Sequence, residues 1–111
     1  MNCIPIFSKL GGATLYREQE FLCMLPANEI METTAGDEVL IQGAIDLLAK
    51  TETGYKVIDY KYSHKSADQL IQTYSRQLAL YKKAVARITN TPGERIETII
   101  VNIFRKEQIN L

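Results

Sequence analysis

Two β-rich stretches separated by a short polar turn constrain the fold of this chain more than any other feature. The stretches are "VLIQGAIDLLA" (39–49) and "YKVIDYKY" (55–62), and "KTETG" (50–54) lies between them. Both are rich in β-branched and aromatic side chains, and the polar segment has turn chemistry. We therefore expect an antiparallel hairpin, with Gly54 available for a positive φ angle in its turn.

The register of this hairpin predicts a charged cluster on one face. A four-residue loop sets Lys50 opposite Tyr55, and counting away from the loop sets Asp46 opposite Asp59. Lys61 lies two residues beyond Asp59 and therefore on the same face. A slip of one residue would move the two carboxylates to opposite faces, so the cluster depends on this register.

Two carboxylates at one spot in an apolar hairpin require a chemical explanation. Such a pair tends to share a proton or to hold a hard cation such as Mg²⁺. A bound Mg²⁺ can activate water and orient a phosphate oxygen, and a neighbouring lysine can offset the charge that develops. The cluster thus predicts phosphodiester hydrolysis. The alternative is an ordinary solvated polar face, because Asp-x-Lys is short enough to occur by chance.

Alternation of side chains predicts two further strands. "TLYREQEFLCML" (14–25) alternates apolar and polar residues and precedes the hairpin, whereas residues 1–13 are expected to form a loose arm. In the hairpin's first strand the alternation places Ile45 and Leu47 on one face and Asp46 on the other. "RIETIIVNIF" (95–104) is nearly continuous in apolar residues, which predicts a last strand buried on both faces.

A long amphipathic helix is predicted between the hairpin and the last strand. Within residues 63–89 apolar side chains recur at intervals of three and four residues. Ser66 and Gln69 have the spacing of a capping box at its start, and "NTPG" (90–93) ends it. The apolar residues with this period are Leu70, Tyr74, Leu78, Tyr81, Val85 and Ile88.

Length and charge exclude several classes of protein. A chain of 111 residues fits one domain, and 13 basic against 13 acidic side chains leave no global basic field of the kind typical of nucleic-acid binders. A local basic patch is still compatible with this composition. No apolar run approaches the roughly 18 residues of a membrane helix, and the first ten residues lack the build of a secretory signal. We therefore expect a cytoplasmic protein with no membrane partner.

Four segments, in order, carry a resemblance to a known family. "REQEF" (17–21), "GAIDLL" (43–48), "VIDYKYS" (57–63) and "YSRQLALYKKAV" (74–85) resemble the nuclease domain of the RecB-type branch of the PD-(D/E)XK superfamily. The likeness is greatest to the C-terminal nuclease domain of AddA-type helicase–nuclease subunits, and it covers nearly the whole chain, from about Tyr16 to about Phe104. It implies an α/β, restriction-endonuclease-like fold, in which a mixed sheet with a central β-hairpin lies beside a long helix.

The resemblance also assigns roles to particular residues. It implies a DNA nuclease dependent on Mg²⁺ or Mn²⁺, with Asp46 and Asp59 as metal ligands and Lys61 as the catalytic lysine. It places Gln77 and Tyr81, the family's Q-x-x-x-Y helix motif, near the active site and the DNA. The spacing of four residues independently puts these two side chains on one helix face. The alternative is that Tyr81 belongs partly to the core and Gln77 caps its edge.

The sequence departs from the family's pattern ahead of the first strand. Relatives carry an upstream helix there with a histidine or acid that completes the metal site, whereas the residues before this strand include neither. Glu18 and Glu20 are candidates for a further carboxylate, and His64 is a candidate for substrate contact or for a plain loop role. The chain also lacks a Gly-rich phosphate loop for ATP hydrolysis. It therefore resembles a detached or truncated nuclease module that a helicase domain or subunit would complete.

Three functions are compatible with the sequence. The first is a metal-dependent nuclease that cuts DNA, with single-stranded ends as the expected substrate, during double-strand-break repair. The second is a catalytically incomplete DNA-binding or assembly module of the same family. The third is a small α/β domain with no nucleic-acid role. Metal binding separates the first from the others, and DNA binding without cleavage identifies the second.

Overall fold

The computed structural model of the chain describes residues 3–4, 15–30 and 36–111. Within these ranges six strands form one sheet in chain order, and only the fourth and fifth strands run parallel. The sheet is therefore mixed, as predicted. The elements are β1 (Cys3–Ile4), β2 (Leu15–Pro26), β3 (Glu38–Lys50), β4 (Tyr55–Lys61), α1 (Ala67–Thr89), β5 (Ile96–Asn102) and β6 (Glu107–Asn110), with short 3₁₀ turns at Ala27–Glu29 and Gly93–Arg95.

The hairpin of β3 and β4 has the predicted loop and register. Lys50 pairs with Tyr55, and the pairing continues as far as Leu47 with Ile58, so the predicted pair of Asp46 with Asp59 falls one step beyond the paired region. The Thr51 amide donates to the Gly54 carbonyl at 2.8 Å and closes the loop. The expectation of a positive φ at Gly54 is wrong. Glycine is required there because a Cβ would lie 1.8 Å from the Arg95 carbonyl oxygen.

Helix α1 connects the parallel strands β4 and β5 and covers one face of the sheet. The predicted capping box is confirmed: the Ser66 hydroxyl accepts from the Gln69 amide, and the Gln69 side chain accepts from the Ser66 amide. The helix ends at Thr89 and is capped by Asn90, whose φ is 54°. Its apolar stripe packs against the sheet in one core with Phe21, Ile45, Leu48, Val57 and Ile100. In the described part of the chain, no helix is long and apolar enough to cross a membrane.

Strand β5 is buried on both faces, as its apolar run predicted. The consecutive residues Thr98, Ile99 and Ile100 are all nearly inaccessible. The strand ends at Asn102, and the chain then turns and returns as β6, an edge strand that the sequence analysis missed. β6 is short and mostly polar, and Ile109 is its only buried residue.

Two expectations concern the start of the chain. The arm predicted over residues 1–13 lies outside the described residues except at Cys3–Ile4, whose backbone pairs with β2. The second expectation, that no helix precedes the first strand, concerns the same residues, which the structure does not describe. The described residues form an α/β fold with a mixed sheet and one long helix, which agrees with a restriction-endonuclease-like core.

Candidate active site

The hairpin brings Asp46, in the second half of β3, together with Asp59 and Lys61 at the end of β4. The Lys61 Nζ lies 3.1 Å from the Asp59 Oδ2, and the carboxyl groups of Asp46 and Asp59 are within hydrogen-bonding reach of each other. The Asp46 Oδ2 also accepts the backbone N–H of Tyr60 at 2.9 Å. The charged cluster that the register predicted is therefore present in the fold.

Asp59 is the more enclosed of the two carboxylates, and its surroundings oppose its charge. Its side chain is only 17% exposed. Burial raises the pKa of Asp59 above its ordinary value of 3.8, the Lys61 ammonium lowers it, and the neighbouring Asp46 raises it again. Because the balance stays on the raised side, one lysine does not fully compensate the pair. A cation with affinity for oxygen would relieve the remaining repulsion.

A shift in the alternation of β3 explains why an acid sits inside its apolar run. Ile45 and Leu48 are both fully buried although they are three residues apart, so the period of two is broken between them. The prediction of one regular alternation, with Leu47 beside Ile45 on the buried face, is wrong from Asp46 onward. The shift puts Leu48 back into the core and leaves Asp46 at the break, exposed and beside β4.

The neighbouring strand shifts at the same level. Arg17 pairs with Leu47 and Gln19 pairs with Ile45, and Glu18, between them, has a φ of 50°. A left-handed residue inside a strand re-aims the side chains that follow it. The break in β3 is thus matched by a break in β2, and the site lies where the sheet bends.

Helix α1 reaches the site through Tyr74. The Lys61 Nζ lies 4.0 Å from the centre of the Tyr74 ring, which is a cation–π contact. The ring also packs on the core, the role that its spacing suggested first. Tyr74 therefore holds the lysine between an aromatic face and the Asp59 carboxylate.

Gln77 and Tyr81 pair with each other one to two turns further along the helix. The Gln77 amide donates to the Tyr81 hydroxyl at 3.0 Å. The Tyr81 ring packs edge-on against Phe21, with 5.2 Å between ring centres, and lies over Gly43, where a Cβ would come within 2.7 Å of it. These contacts match the reading in which Tyr81 is partly core and Gln77 caps its edge. They anchor the helix to β2 and β3.

Asn102 is a supporting residue that the sequence analysis missed. Its fully buried side chain accepts from the Ser63 amide at 3.1 Å and donates to the Ser63 carbonyl at 3.0 Å. The Ile103 amide also donates to the Lys61 carbonyl at 2.8 Å. The chain is therefore clamped immediately after Lys61. The sequence signal for this role was the asparagine at the end of the apolar run "TIIVN" (98–102). That run forms the strand parallel to β4.

The other candidate residues, Glu18, Glu20 and His64, do not join the pair of carboxylates formed by Asp46 and Asp59. Glu18 shares an open pocket of about 510 Å³ with Asp46, whereas Glu20 lines another one beside Gly43. His64 packs on the Phe104 ring, with 3.9 Å between ring centres. Among residues 15–30 and 36–111, no three acidic, histidine or cysteine side chains are grouped to hold a metal. The candidate ligands are thus two carboxylates, a set that suits Mg²⁺ because this ion keeps several of its waters.

Comparison with known proteins identifies the family. Residues 10–110 match the model of the PD-(D/E)XK nuclease superfamily, which covers most of the chain. The chain therefore belongs to this superfamily.

Individual relatives are larger proteins. The chain is similar to an ATP-dependent helicase/nuclease subunit of Oceanobacillus iheyensis, with 33% identity over 96 residues, 78% of this chain and 8% of that protein. The proteins of the same name from Carboxydothermus hydrogenoformans and Bacillus velezensis are 30% identical over 105 residues and 38% identical over 94 residues, covering 90% and 74% of this chain. The chain spans 8 or 9% of the length of these relatives.

Proposed function

We propose that the chain is a DNA nuclease domain that hydrolyses phosphodiester bonds with the help of Mg²⁺ or Mn²⁺. The observation that carries this proposal is the convergence of Asp46, Asp59 and Lys61 on one hairpin of a member of a nuclease superfamily. The raised pKa of Asp59 supports it, because burial and the neighbouring Asp46 both disfavour the charge of this carboxylate, and a bound cation would favour that charge.

The roles follow from the chemistry of the side chains. Asp46 and Asp59 would hold the ion through carboxylate oxygens. When bound, Mg²⁺ supplies Lewis acidity toward a phosphate oxygen and toward water. Lys61 contributes a fixed positive charge that orients the attacking water and stabilises the negative charge developing on the phosphate. Tyr74 and Asp59 limit the positions open to the Lys61 ammonium before substrate arrives.

Gln77 and Tyr81 have a supporting role in this proposal. Their hydrogen bond leaves the second amide hydrogen and the amide oxygen of Gln77 for a further partner. We place them near the DNA, as the Q-x-x-x-Y motif implies. Their packing on Phe21 and Gly43 fixes the helix against β2 and β3.

The names of the relatives support a cellular context for this activity. Each is an ATP-dependent helicase/nuclease subunit. We propose that this domain acts with a helicase motor, in the same protein or in a separate partner protein, and cuts single-stranded DNA ends during double-strand-break repair. The setting would be the bacterial cytoplasm, where the DNA lies.

A cleavage assay on single-stranded DNA tests the proposal. The intact chain should cut an end-labelled oligonucleotide in Mg²⁺ and not in a chelator. Asp46→Ala, Asp59→Ala and Lys61→Ala should each slow cleavage by about 100-fold or more, the usual cost of removing one group that stabilises charge in a transition state. Glu52→Ala, which removes an exposed carboxylate from the hairpin turn, is the matched control and should cut normally. Cleavage that survives the three substitutions would contradict the proposal.

One observation favours a second candidate, the catalytically incomplete DNA-binding module. In the described part of the chain the acidic pair has no third ligand grouped with it. This candidate predicts that the intact chain binds DNA and leaves it uncut at every Mg²⁺ concentration. The same assay, read beside a binding measurement, therefore separates the two functions.

A further inference from the structure

Three aromatic side chains form an exposed cluster at the end of β4, which we call the aromatic ledge (Tyr62, His64 and Phe104). Tyr62 is 72% exposed and Phe104 is 40% exposed. The Phe104 ring contacts both others, with its centre 5.2 Å from that of Tyr62 and 3.9 Å from that of His64. Rings grouped on a surface in this way leave apolar area open to a ligand.

The ledge adjoins the candidate active site through the backbone. Tyr62 directly follows Lys61, and Phe104 follows two residues after Asn102, the strand partner of Lys61. The two hydrogen bonds between Asn102 and Ser63 join the two segments that carry the rings. The rings therefore lie on the two segments that directly follow Lys61 and its strand partner Asn102.

The surroundings of the ledge suit a polyanion. Lys65 and Lys106 are exposed on the two loops that carry the rings. Arg105 directly follows Phe104 and pairs with Glu107. A chain that is neutral as a whole thus has basic side chains at this edge, where a phosphate backbone would pass.

We propose that the aromatic ledge is a stacking platform for unpaired bases of a DNA strand that lies across the active site. Flat exposed rings beside basic side chains are the combination that binds single strands without regard to sequence. Bases in a duplex already stack on their neighbours, so the ledge favours a single strand over a duplex. This inference rests on the proposed function for the position of the strand, and it adds the groups that select its single-stranded form.

Binding measured without cleavage tests the ledge directly. The fluorescence anisotropy of a labelled single-stranded oligonucleotide of mixed sequence is followed in EDTA as each protein is titrated in. Tyr62→Leu and Phe104→Leu should each weaken binding by about tenfold, the size of one base–aromatic contact. Tyr62→Phe keeps the ring and should bind as the intact chain does. Leu15→Ala, at an exposed apolar residue that pairs with Ala49 near the hairpin loop, is the control for surface changes and should also bind normally.

An oligonucleotide with abasic sites in place of its bases separates stacking from charge attraction. It should bind the intact chain about tenfold more weakly than the normal strand, and Tyr62→Leu should cause little further loss on it. Because the replaced rings are exposed, the variants should keep the unfolding temperature of the intact chain. The inference is overturned if the intact chain does not bind, if Tyr62→Leu and Phe104→Leu bind normally, or if the abasic strand binds as tightly as the normal one.

The failure of the ledge proposal and the failure of the nuclease proposal give different results. Ring-dependent binding combined with no cleavage in Mg²⁺ would support the ledge and contradict the nuclease. Cleavage combined with DNA binding that is unchanged by Tyr62→Leu and Phe104→Leu would support the nuclease and contradict the ledge. The exposed rings would then belong to a surface that contacts another protein.

Discussion

Asp59 combines two requirements that oppose each other. It must stay close to Asp46 for the proposed metal site, yet burial and the neighbouring carboxylate both disfavour its charge. Lys61 compensates only in part, since the pKa of Asp59 remains raised. The metal-free protein therefore loses stability to keep this group in place, as is common for functional residues.

This conflict predicts a pH dependence of folding in EDTA. A raised pKa means that the folded chain binds the Asp59 proton more tightly than the unfolded chain does. The free energy of unfolding should therefore be higher below the ordinary value of 3.8 and fall as the pH rises through the raised pKa of Asp59. Asp59→Asn should lack this part of the decline. Denaturant titrations of both proteins at several pH values would measure the difference, and two parallel profiles would contradict it.

Gly43 provides a second test at the residue scale. A methyl group there would lie 2.7 Å from the Tyr81 ring and 2.9 Å from the Phe21 ring, closer than van der Waals contact. Gly43→Ala should therefore lower the free energy of unfolding by about 1–3 kcal/mol, the usual cost of overpacking. Gly36→Ala is the matched control because its Cβ would have no neighbour within 4 Å. Equal stability of the two variants would show that Tyr81 does not need the space.

At the scale of elements, the bend shared by β2 and β3 positions the acidic pair. Glu18 adopts a left-handed conformation inside β2, and β3 changes its buried face at Asp46. A left-handed residue other than glycine costs about 1–2 kcal/mol, so this bend is strained. The strain lies at the level of the proposed active site, where such residues often cluster.

Glycine substitutions measure that strain. Glu18→Gly and Glu20→Gly add the same flexibility to the unfolded chain, but only Glu18 has a positive φ. Glu18→Gly should therefore be the more stable variant, by about 1–2 kcal/mol. Thermal or denaturant unfolding of the two proteins gives the difference, and equal stability or the opposite order would contradict strain at Glu18.

The sequence predicted strands β2 to β5 and helix α1, but not their irregularities. The polar loop set the hairpin register, and the capping box set the start of α1, because both signals are local in the chain. The shift at Asp46 depends on the neighbouring strand, so a regular alternation was the natural and incorrect reading. The Asn102 clamp joins residues far apart in sequence, and it becomes visible only once β5 lies beside β4. β6 was missed because its four residues include only one apolar side chain, too few to show the alternation of a strand.

At the scale of the whole molecule, all three central site residues come from one hairpin. The helix supports them through Tyr74, and β5 supports them through Asn102. The core beneath the sheet keeps β3 and β4 in register, so the site depends on the fold as a whole. The chain spans less than a tenth of its helicase/nuclease relatives, and the central claim is that this small part assembles a metal site by itself.

Calorimetric titration of Mg²⁺ or Mn²⁺ into the purified chain tests that claim most directly. The intact chain should bind the ion with a saturable signal, Asp59→Ala should lose that signal, and Glu52→Ala should keep it. No binding by the intact chain, or equal binding by Asp59→Ala, would contradict the account of the hairpin as a metal site.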